Sequence, residues 1–190
     1  MAVAATTDDE ALFAALRAGV GDALSAVVRR HGRWVRSIVC AVLGRTDAVD
    51  DVVQQVWTSV WQQAGTLRDP ARWRAWLARL ARNAAVDAGR ANMRNRRVVR
   101  PGNDVLEVLR VAGPSPAEAA ILSEQQRLVL EAIRGLPRRY REPFVLRHVE
   151  NWSYRRIGAH LSLPVNTVET RLVRARRLLR EALRNRGIST

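Results

Sequence analysis

Apolar residues return every third or fourth position along most of the chain, the spacing of one buried face of an α-helix. Nowhere do they alternate in the two-residue rhythm of a strand. Leu12, Phe13 and Leu16 form a short first stripe. Leu24, Val27, Val28, Val35, Ile38, Val39 and Val42 form a longer one, and Gly44 stands where that helix would stop. Thr46 or Asp47 can cap the next segment, whose apolar face runs Val49, Val52, Val53, Val56, Trp57, Val60 and Trp61 before Ala64–Gly65 ends it. Asp69 followed by Pro70 is a strong start signal: a capping carboxylate, then a residue whose φ is already helical. The helix it opens carries Trp73, Trp76, Leu77, Leu80, Ala81 and Ala84 inward and most of its arginines outward. Trp57, Trp61 and Trp76 lie on apolar faces and are expected in the core, as most large aromatics are. Trp73 has charged neighbours and a partly inward phase, so core and exposed roles both stay open.

Residues 98–117 break the pattern. Pro101, Gly102, Gly113, Pro114 and Pro116 punctuate them, and a connection of that length is unusual inside a compact domain. They read as a linker. Beyond it, Ser115–Pro116 caps a helix through Ile121, Leu122, Leu128, Val129 and Ile133 that ends at Gly135. Leu136–Pro137 opens another to about Val149. The expected fold is all-α: two small helical domains, 1–97 and 118–190, joined by a flexible tether at 98–117.

The C-terminal domain ends in a helix-turn-helix pattern. Ser153 caps a short helix, Tyr154 to Leu161, with Ile157 and Leu161 inward and Gly158–Ala159 small enough for close packing. Ser162–Leu163–Pro164 is the turn. The second helix, Val165 to Arg184, buries Val168, Leu172, Ala175, Leu179 and Leu183 and turns Asn166, Thr167, Glu169, Thr170, Arg171, Arg174 and Arg177 outward. Such side chains on the first turns of a helix can read base edges in a major groove.

Charge sharpens the division. Every one of the thirty-two basic residues is arginine, against eighteen acidic ones, for a net charge of +14. Residues 1–69 carry a net −1, 70–97 carry +7, the linker balances, and 118–190 carry +8. Two separate basic blocks behind a near-neutral front end predict two nucleic-acid contact surfaces rather than a uniform polycation.

Other chemistry is missing. Cys40 is the only cysteine, which leaves no internal disulfide and no cysteine-based zinc site. His31, His148 and His160 are scattered without metal-ligand spacing, so neither metal nor cofactor is expected. Met1 to Glu10 lacks the apolar core of a signal peptide, and the longest apolar run, Ser37 to Gly44, falls far short of a bilayer span. A cytoplasmic protein without membrane insertion is expected. An enzyme would need clustered carboxylates or an activated nucleophile; adjacent residues such as Asp50 and Asp51 diverge on a helix.

Two segments then carry a resemblance. Asp51-Val-Val-Gln-Gln-Val-Trp57 with Trp73-Arg-Ala-Trp-Leu-Ala-Arg-Leu-Ala-Arg-Asn83 is one. Leu136-Pro, Leu146-Arg, Ser153-Tyr-Arg-Arg-Ile157, Pro164-Val-Asn-Thr-Val168 and Arg171-Leu-Val-Arg-Ala-Arg176 make the other. In order and spacing they resemble the extracytoplasmic-function (group 4) sigma factors, minimal members of the sigma-70 family with one promoter −10 domain and one −35 domain. The resemblance implies that Asp50, Asp51, Gln54 and Gln55 dock on the clamp helices of core RNA polymerase. It implies that Leu67, Arg68, Asp69, Pro70, Arg72, Trp73, Arg74, Arg79, Arg82 and Asn83 open the −10 element and hold a flipped base, with Trp73 between Arg72 and Arg74 as the aromatic platform. It assigns −35 recognition to the helix-turn-helix: Ser153, Tyr154, Arg155, Arg156, Asn166, Thr167, Glu169, Thr170, Arg171, Arg174 and Arg177. Promoter DNA and polymerase are the implied partners, and many relatives are held by an anti-sigma protein.

Departures from the family pattern have physical consequences. Gln55 stands where a Glu is usual, removing one charge from the docking face. Arg155 and Arg156 replace acids and are expected to touch phosphates. Glu169 replaces a cation and can accept from a cytosine amine. Ser162 replaces a turn glycine, with some strain; Asn166 replaces another and tolerates most turn geometries. The competing reading is a stand-alone helix-turn-helix regulator, which would leave the Trp-Arg helix of the first domain without a purpose.

Overall fold

The computed structural model describes residues 2–44, 48–94 and 124–186. The expected caps Thr46 and Asp47, the linker 98–117 and the Ser115–Pro116 cap lie outside them. Helix α1 (Ala2–Arg17) buries Phe13 and Leu16. Helix α2 (Ala23–Leu43) buries Val27, Val35, Ile38, Val39 and Val42. It stops at Gly44, whose φ of 69° suits glycine and whose N–H donates to the Cys40 carbonyl at 2.9 Å. Helix α3 (Val49–Gln63) follows Ala48, which offers no side-chain cap, and buries Val49, Val52, Val56 and Val60. The Asp69 carboxylate accepts from the Ala71 N–H at 3.0 Å and so caps the chain as expected. The turn it opens, Pro70–Arg72, is 3₁₀ and leads into helix α4 (Trp73–Arg94) one step later than the sequence predicts. Helix α2 is the central post of this half, packed against α1, α3 and α4.

The second half consists of α5 (Glu124–Gly135), α6 (Arg138–His148), α7 (Tyr154–Leu161) and α8 (Val165–Arg184). The Ser153 hydroxyl caps α7 by accepting from the Arg156 N–H at 3.2 Å. Gly158 is fixed by its neighbour: a Cβ there would sit 2.7 Å from the Leu163 carbonyl oxygen. The expected strain at Ser162 is present, since this residue closes α7 in the left-handed region at φ 55°. Asn166 occupies the first turn of α8 and not the turn between the helices. All five predicted core positions of α8, from Val168 to Leu183, are buried.

The fold is all-α, as expected, and the two helical parts pack against each other. Leu146, Trp152, Ile157, Val168 and Leu172 of the second half belong to the same apolar cluster as Phe13, Val35 and Trp73 of the first. A smaller cluster of Ala132, Leu136, Ala175, Leu179 and Leu183 holds α5 to α8. A polar seam reinforces the shared core. Arg82 donates to Glu142 at 2.6 Å, Ser37 bonds Glu150, and the rings of Trp34 and Trp152 lie 6.3 Å apart. Deepest of all, Arg141 of α6 reaches the C-terminus of α2, donating to the Ala41 and Val42 carbonyls at 3.0 and 3.1 Å. Among the described residues no helix is long and apolar enough to cross a membrane.

Candidate nucleic-acid interface

The outer face of α3 is open. Asp50, Asp51, Gln54 and Gln55 are exposed, and Asp50 pairs with Arg36 across from α2. Helical spacing puts Asp51, Gln54, Gln55, Thr58 and Trp61 on one stripe. Trp61 corrects the sequence reading: it is 53% exposed and not part of the core. Trp76 is buried, with its indole N–H donating to Thr66 Oγ1 at 3.1 Å, and Trp57 is half-buried.

On α4 the residue that the resemblance makes a base-holding platform lies in the core. Trp73 is 1% exposed, stacked on Phe13 at 4.6 Å and pressed against His31 at 4.4 Å. Its ring packs inside the first half, against Phe13 of α1 and His31 and Trp34 of α2. Leu67 is buried as well. What reaches the surface is polar. Arg68, Asp69, Arg72, Arg74, Arg79 and Asn83 are exposed, Pro70 is half-exposed, and Arg82 is half-buried against Glu142. Arg74 covers Trp73 at 4.7 Å and reaches the buried Asp9 at 3.5 Å, a carboxylate also held by Arg30 at 2.8 Å and His31 at 3.2 Å.

The helix-turn-helix presents a groove of about 490 Å³ lined by Asn166, Thr167, Thr170, Arg171 and Arg174 of α8 and by Arg139 and Tyr140 of α6. Sequence reasoning missed Arg139 and Tyr140, which sit in a helix given no site residue; the dense run Arg138-Arg139-Tyr140-Arg141 was the available signal. Glu169 and Arg177 are exposed beside the groove, Arg177 paired with Glu181 at 3.3 Å. On α7, Ser153 and Arg155 are exposed and Tyr154 is half-buried beneath Arg147, whose guanidinium lies 5.3 Å from the ring. Arg156 departs from its expected place on a phosphate-facing surface. It turns inward over Trp152, 3.8 Å from the ring centroid, and burial followed by the nearby Arg74 charge pushes its pKa down to about 10.

Helices α4 and α7 face each other across a cleft of about 700 Å³. Arg72, Arg74, Arg79, Arg82 and Asn83 form one wall; Trp152, Arg156, Ala159, His160 and Ser162 form the other. Among the described residues no group of three His, Cys, Asp or Glu converges as metal ligands would.

Comparison with known proteins agrees with this geometry. The family model for Sigma-70 region 2 matches residues 27–95, and that for Sigma-70 region 4 matches residues 126–179. The chain is 29% identical over 182 residues to the ECF RNA polymerase sigma-E factor of Haemophilus influenzae, covering 90% of this chain and 93% of that one. It is 30% identical over 177 residues to the sigma-E factor of Escherichia coli K12, covering 88% and 90%. Among solved structures, that of CnrH in complex with the cytosolic domain of CnrY superposes with a TM-score of 0.64 at 28% identity, over 93% of this chain and 97% of that chain. This chain belongs to the sigma-70 family, and within it to the ECF group of RNA polymerase sigma factors. A stand-alone regulator is not favoured, since the first half matches region 2.

Proposed function

We propose that residues 1–97 dock on core polymerase through the open face of α3 and engage the −10 element through the arginine face of α4, while residues 118–190 read the −35 element through the α8 groove. The observation that carries this reading is the convergence of Asn166, Thr167, Thr170, Arg171 and Arg174 in one solvent-open groove at the start of α8. That is the position from which the second helix of a helix-turn-helix contacts base edges. With Trp73 in the core, the −10 side works through Arg72, Arg79, Arg82 and Asn83, cations and an amide along one strand. The protein performs no catalysis of its own, acts in the cytoplasm with the polymerase, and is a fit partner for an anti-sigma protein.

Geometry adds a requirement. The −10 and −35 elements lie about 25 base pairs apart, roughly 85 Å at 3.4 Å per pair. Here α4 and α7 line one cleft. The chain must open before both faces meet one promoter.

Run-off transcription on a genomic library tests the reading. Core polymerase plus this protein should initiate from a defined promoter class, and Arg171→Ala should relax preference at one or two −35 base pairs by about 1–3 kcal/mol. Initiation indistinguishable from core polymerase alone would refute it.

A further inference from the structure

The closed arrangement brings like charges together. Five arginines, Arg72, Arg74, Arg79, Arg82 and Arg156, line the cleft between α4 and α7, and among the described residues no carboxylate lines it with them. Arg82 is answered by Glu142 from outside the lining, and Arg72 and Arg74 only by longer contacts of 3.5 Å to Asp69 and Asp9. Among the described residues Arg79 makes no ion pair, and the buried Nη2 of Arg156 and Nε2 of His160 have no hydrogen-bond partner. Closing the chain therefore sets Arg156 and His160 of one half against Arg74 and Arg82 of the other, at a cost that the shared apolar core and the polar seam must offset. A cleft of about 700 Å³ falls within the range of small-molecule sites.

We propose that this cleft binds a compact oligophosphate, and that the ligand holds the two halves closed. The inference rests on the sigma-factor reading only for its consequence, the blocking of holoenzyme assembly. Arginine forks suit phosphate oxygens, and Arg156, held over Trp152 at 3.8 Å from the ring centroid, keeps an Nη2 without a hydrogen-bond partner. His160 can donate once the ligand supplies an acceptor. Burial, then Arg82 and Arg156, push its pKa down to about 4, so at neutral pH it meets the ligand as a neutral imidazole. A ligand that contacts both walls favours the closed form by its differential affinity.

Calorimetric titration of the full chain with inorganic tripolyphosphate at 0.15 M salt is the test, with sulfate as reference. One saturable site per chain is expected, at least tenfold tighter than sulfate, and His160→Glu should weaken it tenfold or more by placing a carboxylate in the cleft. Arg79→Gln, a change at an exposed position, should weaken it as well and serves if His160→Glu fails to fold. A nucleoside triphosphate titrated alongside identifies the source: equal affinity means the phosphates alone are read, tighter binding means the base contributes. Adding tripolyphosphate should also lower holoenzyme formation by the same concentration dependence. Binding no tighter than sulfate, or insensitive to both variants, would overturn the proposal. So would binding of a single-stranded −10 oligonucleotide without any of tripolyphosphate, since the cleft would then be promoter surface only. Transcription that proceeds normally while tripolyphosphate fails to bind sinks the cleft proposal and leaves the sigma-factor reading intact. Tripolyphosphate binding without any promoter-directed transcription does the reverse.

Discussion

Trp73 shows how one ring's environment decides its role. A side chain stacked on Phe13, edge-on to Trp34 at 5.8 Å and touching His31 holds three elements together. Truncating it removes the largest fully buried side chain of the structure. Trp73→Ala should therefore destabilise the fold by about 3–5 kcal/mol, the range for large aromatics in cores. Equilibrium urea unfolding measures this. If the variant instead keeps wild-type stability and loses only strand opening, by permanganate reactivity of unpaired thymines, the ring serves the promoter after all. Asn83, exposed on the same helix, should behave in the opposite way: Asn83→Ala costs little stability and acts on opening. Two residues ten apart on one helix thus separate packing from recognition by the sign of two independent readouts.

At the scale of elements, α3 is amphipathic, with a buried valine stripe and an open polar stripe that ends in Trp61. An exposed indole beside Asp51, Gln54 and Gln55 has the make-up of an interface centre, where aromatic anchors carry most of the binding energy. Trp61→Ala should weaken core-polymerase binding by about 2 kcal/mol or more, some thirtyfold, without lowering the unfolding midpoint. Asp51→Arg should abolish it by like-charge repulsion against a basic partner. Native gel shift with core enzyme checks both, and undiminished holoenzyme in either variant removes α3 from the docking surface. Element-level features of this kind were largely legible in the sequence, because their causes are local. The valine spacing of α3, the Asp69 cap, the stop at Gly44 and the buried row of α8 each follow from residues within a turn or two. Trp61 was misjudged because periodicity tells which face a residue occupies but not whether a neighbour extends far enough to cover it. Trp73 was ambiguous for the same reason. The seam between the halves was illegible: Arg141 and Glu142 look like a solvated basic helix until Ala41, 100 residues away, and Arg82, 60 residues away, meet them across it.

At the scale of the whole molecule, one arginine and one glycine meet where the halves join. Arg141 is buried, and its guanidinium gives two hydrogen bonds within its own half, to the Arg134 and Leu136 carbonyls at 2.8 and 2.7 Å. Two more cross to the end of α2, where free carbonyls and the negative end of the helix dipole favour a cation. Desolvation is the leading influence on its pKa, pushing it down to about 10, so the group remains charged at neutral pH. Hydrogen bonds to a charged group contribute about 1.5–3 kcal/mol each, and losing the crossing pair should tip a two-state arrangement whose gap is a few kcal/mol. Gly44 completes the contact from the other side, since a Cβ there would collide with the Arg141 guanidinium. Arg141→Ala and Gly44→Ala lie on opposite halves and share only this interface. Both should open the chain, raising the radius of gyration above the roughly 16 Å of a compact chain of this length, measured by small-angle scattering. Both should also strengthen core-polymerase binding, because the cost of opening is removed in advance. Gly44→Ala carries a further penalty of about 1–2 kcal/mol for a left-handed alanine, confined to the first half, so its unfolding midpoint falls while the opening effect matches that of Arg141→Ala. Two variants that stay as compact as the wild type would show that the apolar core alone closes the molecule, and that the buried arginine serves α6 and its neighbours within the second half.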